Sequence, residues 1–269
     1  MAIDRAAPIG VFDSGVGGLT VVRALMERLP LESIIYFGDT ARVPYGIKSV
    51  PTIEHYTAQI ADHLMGAGVK MLIVACNTMA AVAADVVKAR AGDVPVLDVI
   101  EAGAQAAVAG TSGGAIGVIG TPTTINSNAY ARRMHELDPS LRVYSQACPL
   151  FVPLVEEGWL DHPVTRLTAE EYLRPVLAEG VDSLVLGCTH YPLLKALLQS
   201  VAGPQVRLVD SALTTAQAAA EWLAREDMAR PSGSVPAYRF QVTDIPLRFQ
   251  TIGERFLGRS LGAIDKVDW

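Results

Sequence analysis

The chain has 269 residues, of which half are apolar and only 19% charged, and its net charge is -6. That composition demands a substantial buried core, excludes a disordered chain, and suits one large or two modest domains. Lysine and arginine are scattered and form no run, which speaks against nucleic acid or an anionic membrane as a partner. No apolar run approaches the roughly 20 residues a membrane-spanning helix needs. Residues 1–7 carry Asp4 and Arg5 where a signal peptide would have an apolar core. The cysteines are Cys76, Cys148 and Cys188, too few and too odd in number for a disulfide framework. A soluble protein of the reducing cytosol with free thiols is expected.

In chain order, short β-rich runs are predicted at 8–12, 33–37, 70–75, 94–97, 115–119, 141–145, 182–187 and 206–209. Helical stretches lie between them, among them 18–29, 52–66, 78–90, 124–137, 166–178 and 191–200. Most strand runs are continuously apolar, as in parallel strands covered on both faces. The alternation predicts an α/β fold with parallel sheets. After 207 the pattern gives a strand, a helix over 212–225, a strand over 238–242 and a final helix.

The sequence is internally doubled. Gly68-Val69-Lys70-Met71-Leu72-Ile73-Val74-Ala75-Cys76-Asn77-Thr78 matches Gly180-Val181-Asp182-Ser183-Leu184-Val185-Leu186-Gly187-Cys188-Thr189-His190, with the same spacing from Gly-Val to Cys. Ile9-Gly10-Val11-Phe12-Asp13-Ser14 is echoed by Ile116-Gly117-Val118-Ile119-Gly120-Thr121 at a similar offset. Two similar α/β halves follow, about 1–98 and 99–206, with 207–269 left over. In open α/β sheets ligands bind beyond the carboxyl ends of the strands. Asp13, Cys76, Thr121 and Cys188 all stand at such ends, so a site between the halves would collect them.

The doubled thiols carry the chemistry. Taken alone, either cysteine reads as a buried apolar residue. On matching elements of two halves they read as two bases facing one substrate atom, able to remove a proton from one side of a carbon and return it from the other. A helix N-terminus favours thiolate, so both thiols are expected to have a lowered pKa. His190 stands close enough in sequence to tune Cys188, while Cys148 has no counterpart and is expected to be structural. Asp13-Ser14-Gly15-Val16-Gly17-Gly18 is a Gly-rich strand-to-helix turn that could hold a carboxylate or phosphate on backbone N–H groups. It lacks both the Walker and the dinucleotide spacing. The loop 39–46 around Tyr45, taken alone, reads as turn chemistry. The segment 148–158 occupies the same position in the second half, and there Glu156 would mirror Asp13. Without that symmetry Glu156 and Glu157 would be a solvated helix face.

Four motifs, Val-Phe-Asp-Ser-Gly-Val-Gly-Gly-Leu-Thr (11–20), Asp-Thr-Ala-Arg-Val-Pro-Tyr-Gly (39–46), Ala-Cys-Asn-Thr (75–78) and Gly-Cys-Thr-His-Tyr-Pro-Leu (187–193), occur in an order and spacing that resemble the glutamate racemase family. The resemblance runs from about 9 to 210. It implies two similar parallel-sheet α/β domains related by a pseudo-twofold, with the active site in the cleft between them. The C-terminal segment would pack back on the first domain, making it 1–98 plus 207–269, with 99–206 as the second. It implies a cofactor-independent, metal-free two-base racemase acting on glutamate and supplying D-glutamate for peptidoglycan. Cys76 would deprotonate D-glutamate and Cys188 L-glutamate. Asp13, Glu156 and His190 match the family's assisting residues. Ser14, Tyr45, Gly46, Asn77, Thr78 and Thr189 match its substrate contacts, with Thr121 and Thr124 as further contacts.

Other readings stay in view. A racemase of aspartate or another amino acid on the same fold would show the same thiols. A pyridoxal phosphate enzyme needs a Schiff-base lysine, and Lys48, Lys70, Lys88, Lys195 and Lys266 offer no recognisable setting for one. Cys-Thr-His is poor zinc spacing. Some relatives are described as touching DNA gyrase, but no basic or extended surface here supports that role. The sequence does not fix the oligomeric state; symmetric dimers are the commonest soluble assembly, which keeps a homodimer open.

Overall fold

In the computed structural model, residues 4–245 and 249–269 are described. The strands form two separate parallel sheets. The first half supplies β1 (Ile9–Asp13), β2 (Ile34–Gly38), β3 (Met71–Val74) and β4 (Val96–Asp98), in the spatial order β2-β1-β3-β4. The second supplies β5 (Ala115–Gly120), β6 (Arg142–Ala147), β7 (Ser183–Gly187) and β8 (Arg207–Asp210), in the equivalent order β6-β5-β7-β8. Every pairing is parallel. The central strands β1, β3, β5 and β7 are buried on both faces, as their unbroken apolar runs require.

The boundary expected at 206/207 needs correction, because it severs β8 from the sheet to which it belongs. β8 pairs with β7, Leu184 opposite Leu208. It is the fourth strand of the repeated unit, the counterpart of β4. Each of the two strands ends on an aspartate that caps the following helix. Asp98 accepts from the N–H of Ile100 at 2.9 Å at the head of α4 (Val99–Gly110), and Asp210 accepts from the N–H of Ala212 at 3.0 Å at the head of α10 (Ser211–Arg225). Beyond α10 the chain returns to the first sheet. There β9 (Tyr238–Val242) pairs with β2, and β10 (Ile264–Lys266), too short to stand out in the sequence, pairs with β9.

The helices α1 (Leu19–Arg28), α2 (Val50–Gly66) and α3 (Asn77–Ala91) follow the predicted stretches, as does α8 (Pro163–Ala178). The stretch 124–137 divides into α5 (Pro122–Asn126) and α6 (Ala129–Leu137), because Asn128 adopts a left-handed conformation (φ 54°) between them. The stretch 191–200 begins as a 3₁₀ turn, Tyr191–Leu194, with Pro192 in it, before α9 (Lys195–Ala202). Neither α4 nor α7 (Phe151–Glu156) falls in a predicted stretch. The final helix is α11 (Phe249–Leu257). α4 and α10 pack on each other, α4 lies against β7, and α10 lies against α1, so the two halves interlock around one continuous core.

Among the described residues, no helix is long and apolar enough to cross a membrane.

Candidate active site

Parallel strands place all their carboxyl ends on one edge, and the two edges face a single cavity of about 450 Å³. Strand β1 delivers Asp13 and Ser14 to it, and the β3–α3 junction delivers Cys76, Asn77 and Thr78. Thr121 arrives from the end of β5, Cys188, Thr189 and His190 from the end of β7, and Glu156 from the end of α7. Tyr45 and Gly46 complete the wall from the loop after β2.

The two turns approach each other closely. A Cβ on Gly17 would lie 2.2 Å from Thr189 Oγ1 and 2.7 Å from His190 Nδ1, so only glycine fits there. Thr20 Oγ1 shares its one proton between the Gly17 carbonyl at 2.9 Å and the Thr189 carbonyl at 3.1 Å, joining α1 to the Cys188 turn.

Cys76 stands just before the first turn of α3 without capping it through its side chain, and its thiol donates to Ser14 Oγ at 3.4 Å. Asp13 accepts the Gly15 N–H on Oδ1 at 2.8 Å, while its Oδ2 is buried without a partner. Burial raises the Asp13 pKa, opposed by the His190 charge and by backbone N–H groups. Burial, reinforced by the Asp13 carboxylate, pushes the Cys76 thiol up to about 12. The lowered pKa expected of a thiol at a helix start is therefore reversed here, because desolvation and a neighbouring negative charge outweigh the helix dipole.

Cys188 has a different neighbourhood. No α-helix starts at it; the 3₁₀ turn follows, with His190 as its cap. Its sulfur lies 3.9 Å from His190 Nδ1, and His190 Nε2 meets Glu156 Oε1 at 3.0 Å. Burial opposes charging of the imidazole, but its bonds to Cys188 and Glu156 prevail and push His190 up to about 10. The ring of Phe256 closes the far side of His190, edge to face at 4.9 Å. Arg255 holds the main chain under Glu156, donating to the carbonyls of Val155 and Glu156 at 3.1 Å each.

Hydroxyls from both halves meet on one wall. Thr78 Oγ1 lies 3.0 Å from Thr121 Oγ1 and 3.4 Å from Thr124 Oγ1, and Thr121 lies 3.0 Å from Thr124. Thr124, expected as a substrate contact, does not line the cavity; it stands behind Thr78 and Thr121, bonded to both. Thr123 Oγ1 donates to the Gly46 carbonyl at 2.7 Å, closing the Tyr45 loop onto the second half. Tyr45 gives its hydroxyl proton to Asp39, so that hydroxyl has no proton to offer a ligand carboxylate.

Asp39 is a residue that the sequence alone does not single out. Fully buried, it accepts from Tyr45, from Arg42 at 2.7 Å and from Thr243 at 2.9 Å. The signal was a carboxylate at a strand end, like Asp13, but its partners come from remote segments. Apolar lining from Val152, Pro153, Phe249 and Ile252 was likewise unmarked. Cys148 is fully buried away from the cavity and its thiol is raised by burial, in keeping with a structural role. Among the described residues no group of three or more His, Cys, Asp or Glu side chains is disposed to hold a metal ion.

Residues 19–219 match the Asp/Glu/Hydantoin racemase family. A glutamate racemase of Syntrophus aciditrophicus is 69% identical over 97% of this chain and 96% of its own. One of Neisseria meningitidis is 61% identical over 98% of each. A crystal structure of the Francisella tularensis glutamate racemase in complex with D-glutamate superposes with a TM-score of 0.93, at 44% identity and 98% coverage of both chains. The chain belongs to the Asp/Glu/Hydantoin racemase family, and within it to the glutamate racemases.

Proposed function

We propose that the protein interconverts L- and D-glutamate without a cofactor, by proton transfer between the α-carbon and two cysteines. The observation that carries this reading is that Cys76 and Cys188, at the ends of equivalent strands in two sheets, open on one cavity with different proton-handling neighbours. The substrate contributes two carboxylates and one ammonium. Backbone N–H groups and the hydroxyls of Ser14, Thr78, Thr121 and Thr189 suit the carboxylates, with the Asn77 amide beside them. D-Glutamate in the Francisella relative supports the same ligand here.

Cys188, beside the linked His190 and Glu156 side chains, is the base that takes the α-proton of L-glutamate. Cys76, held as a thiol by burial and Asp13, supplies a proton to the opposite face. Preorganised donors around the reacting carbon stabilise the developing carbanion. After turnover the thiols have exchanged protonation states, and the same groups run the reverse reaction from D-glutamate. Asp13, whose Oδ2 is buried without a hydrogen-bond partner, is the carboxylate that assists Cys76 in that direction. The product D-glutamate would enter peptidoglycan synthesis, which puts the enzyme in the cytoplasm.

Purified protein in D2O with L-glutamate tests the reading. Loss of the α-proton signal together with optical rotation is expected without added cofactor. Proton loss with rotation preserved would leave a single working base and overturn the two-cysteine assignment. Parallel incubation with aspartate sets the substrate.

A further inference from the structure

Tyr130 lies in the first turn of α6, 2% exposed and outside the cavity lining. Its hydroxyl donates to Asn77 Oδ1 at 2.7 Å, with the Val99 carbonyl oxygen farther away at 3.3 Å. Asn77 follows Cys76 directly and opens α3. With Oδ1 engaged, the other end of the amide faces away from Tyr130. That Nδ2 is buried and has no hydrogen-bond partner, on a side chain that lines the cavity. A buried donor left unmet is costly, and it is kept where a ligand meets it.

The tyrosine occupies a slot cut for it. A Cβ on Gly103 of α4 would stand 3.1 Å from its hydroxyl, and one on Gly187 would stand 3.1 Å from its Cε2 as well as 2.7 Å from the Ile119 carbonyl oxygen. Gly187 is the residue before Cys188. One side chain from the second half thus rests its ring on one thiol turn and its hydroxyl on the residue after the other thiol.

We propose that Tyr130 is a positioning residue for racemisation, holding the Asn77 amide so that its NH2 points at a substrate carboxylate. This rests on the two-cysteine reading given above. The test is a double-mutant cycle of Tyr130→Phe and Asn77→Ala in the full chain, reading kcat, KM for both enantiomers, and melting temperature. Tyr130→Phe keeps the ring in its slot and removes only the hydroxyl. KM is expected to rise about tenfold with kcat within about threefold, the size of one lost oriented hydrogen bond. In the Asn77→Ala background the same substitution should add nothing further. Gly103→Ala, which crowds the hydroxyl without deleting it, should raise KM in the same sense and serves if Tyr130→Phe does not fold. Unchanged KM, or a Tyr130→Phe effect that persists undiminished without the Asn77 amide, would overturn the proposal. Racemisation surviving in Cys76→Ala or Cys188→Ala would instead sink the two-base reading, and the coupling between Tyr130 and Asn77 would still be measured in the cysteine-intact protein.

Discussion

The two cysteine turns hold equivalent places in the two sheets, yet one opens an α-helix and the other a 3₁₀ turn, and their electrostatic surroundings differ. Each follows the third strand of a repeated four-strand unit and opens on the same cavity. Around Cys76 stand a carboxylate and a hydroxyl; around Cys188 stand an imidazole and, behind it, a carboxylate. The rise of the Cys76 thiol from an ordinary 9.0 to about 12 corresponds to about 4 kcal/mol. A helix N-terminus offers about 0.3–1 kcal/mol, or up to about 2 when partly buried, so it cannot hold this thiolate alone. The two thiols hold matching positions, and burial with Asp13 beside it keeps Cys76 protonated.

The largest test of that asymmetry is deletion. Cys76→Ala and Cys188→Ala should each abolish racemisation, a loss of at least about 10²–10⁴-fold for a positioned acid or base. Each should retain α-proton exchange in D2O for one enantiomer only: L-glutamate in Cys76→Ala, D-glutamate in Cys188→Ala. Near neutral pH the first exchange should be faster, because Cys76 is held as thiol. Exchange of both enantiomers by either variant would break the comparison.

Next comes the charge beside Cys76. Asp13→Asn removes the carboxylate that raises this thiol, so its pKa should fall from about 12, as read by thiolate absorbance in a Cys148→Ala, Cys188→Ala background. In the cysteine-intact protein, Asp13→Asn should lower turnover by about 10²-fold. A thiol that does not move would assign the shift to burial alone.

His190 gives a smaller, pH-dependent effect. Its pKa rises on folding from an ordinary 6.5 to about 10, so the folded state binds its proton more tightly. That stabilisation is complete below about pH 6.5 and is lost as pH rises through about 10. The melting temperature of His190→Asn should therefore fall less steeply on the alkaline side than that of the parent. Parallel alkaline limbs would show that Glu156 and Cys188 do not hold an imidazolium. The smallest effect belongs to the contact between halves at Gly46: Thr123→Val should cost about 1 kcal/mol of stability by thermal melting, with KM raised a few-fold.

Much of the frame was legible because parallel strands buried on both faces are written as unbroken apolar runs. α4 was not, since Val-Ile-Glu-Ala-Gly-Ala-Gln-Ala-Ala has little contrast between faces, and its real start signal is the Asp98 cap. The second Asp-capped strand, Leu208-Val209-Asp210, is too short a match to Val96-Leu97-Asp98 for the sequence to mark where the repeat ends. At the site, motifs located the groups that line the cavity but not their proton affinities. Those depend on burial and on neighbours brought from other segments, as with Asp13 beside Cys76. Asp39 and Tyr130 escaped for the same reason: their partners, Thr243 and Asn77, are distant in sequence.

The pairing of β9 with β2 has a consequence for biosynthesis. During synthesis, strands one to four of the first half leave the ribosome long before Tyr238–Val242. Until then Ile34-Ile35-Tyr36-Phe37-Gly38 presents an open hydrophobic edge, a template for pairing with other chains. The second sheet, whose strands all precede 211, can close first. A nascent or prematurely terminated chain therefore carries its aggregation hazard in its oldest part, and release of the final segment is what removes it.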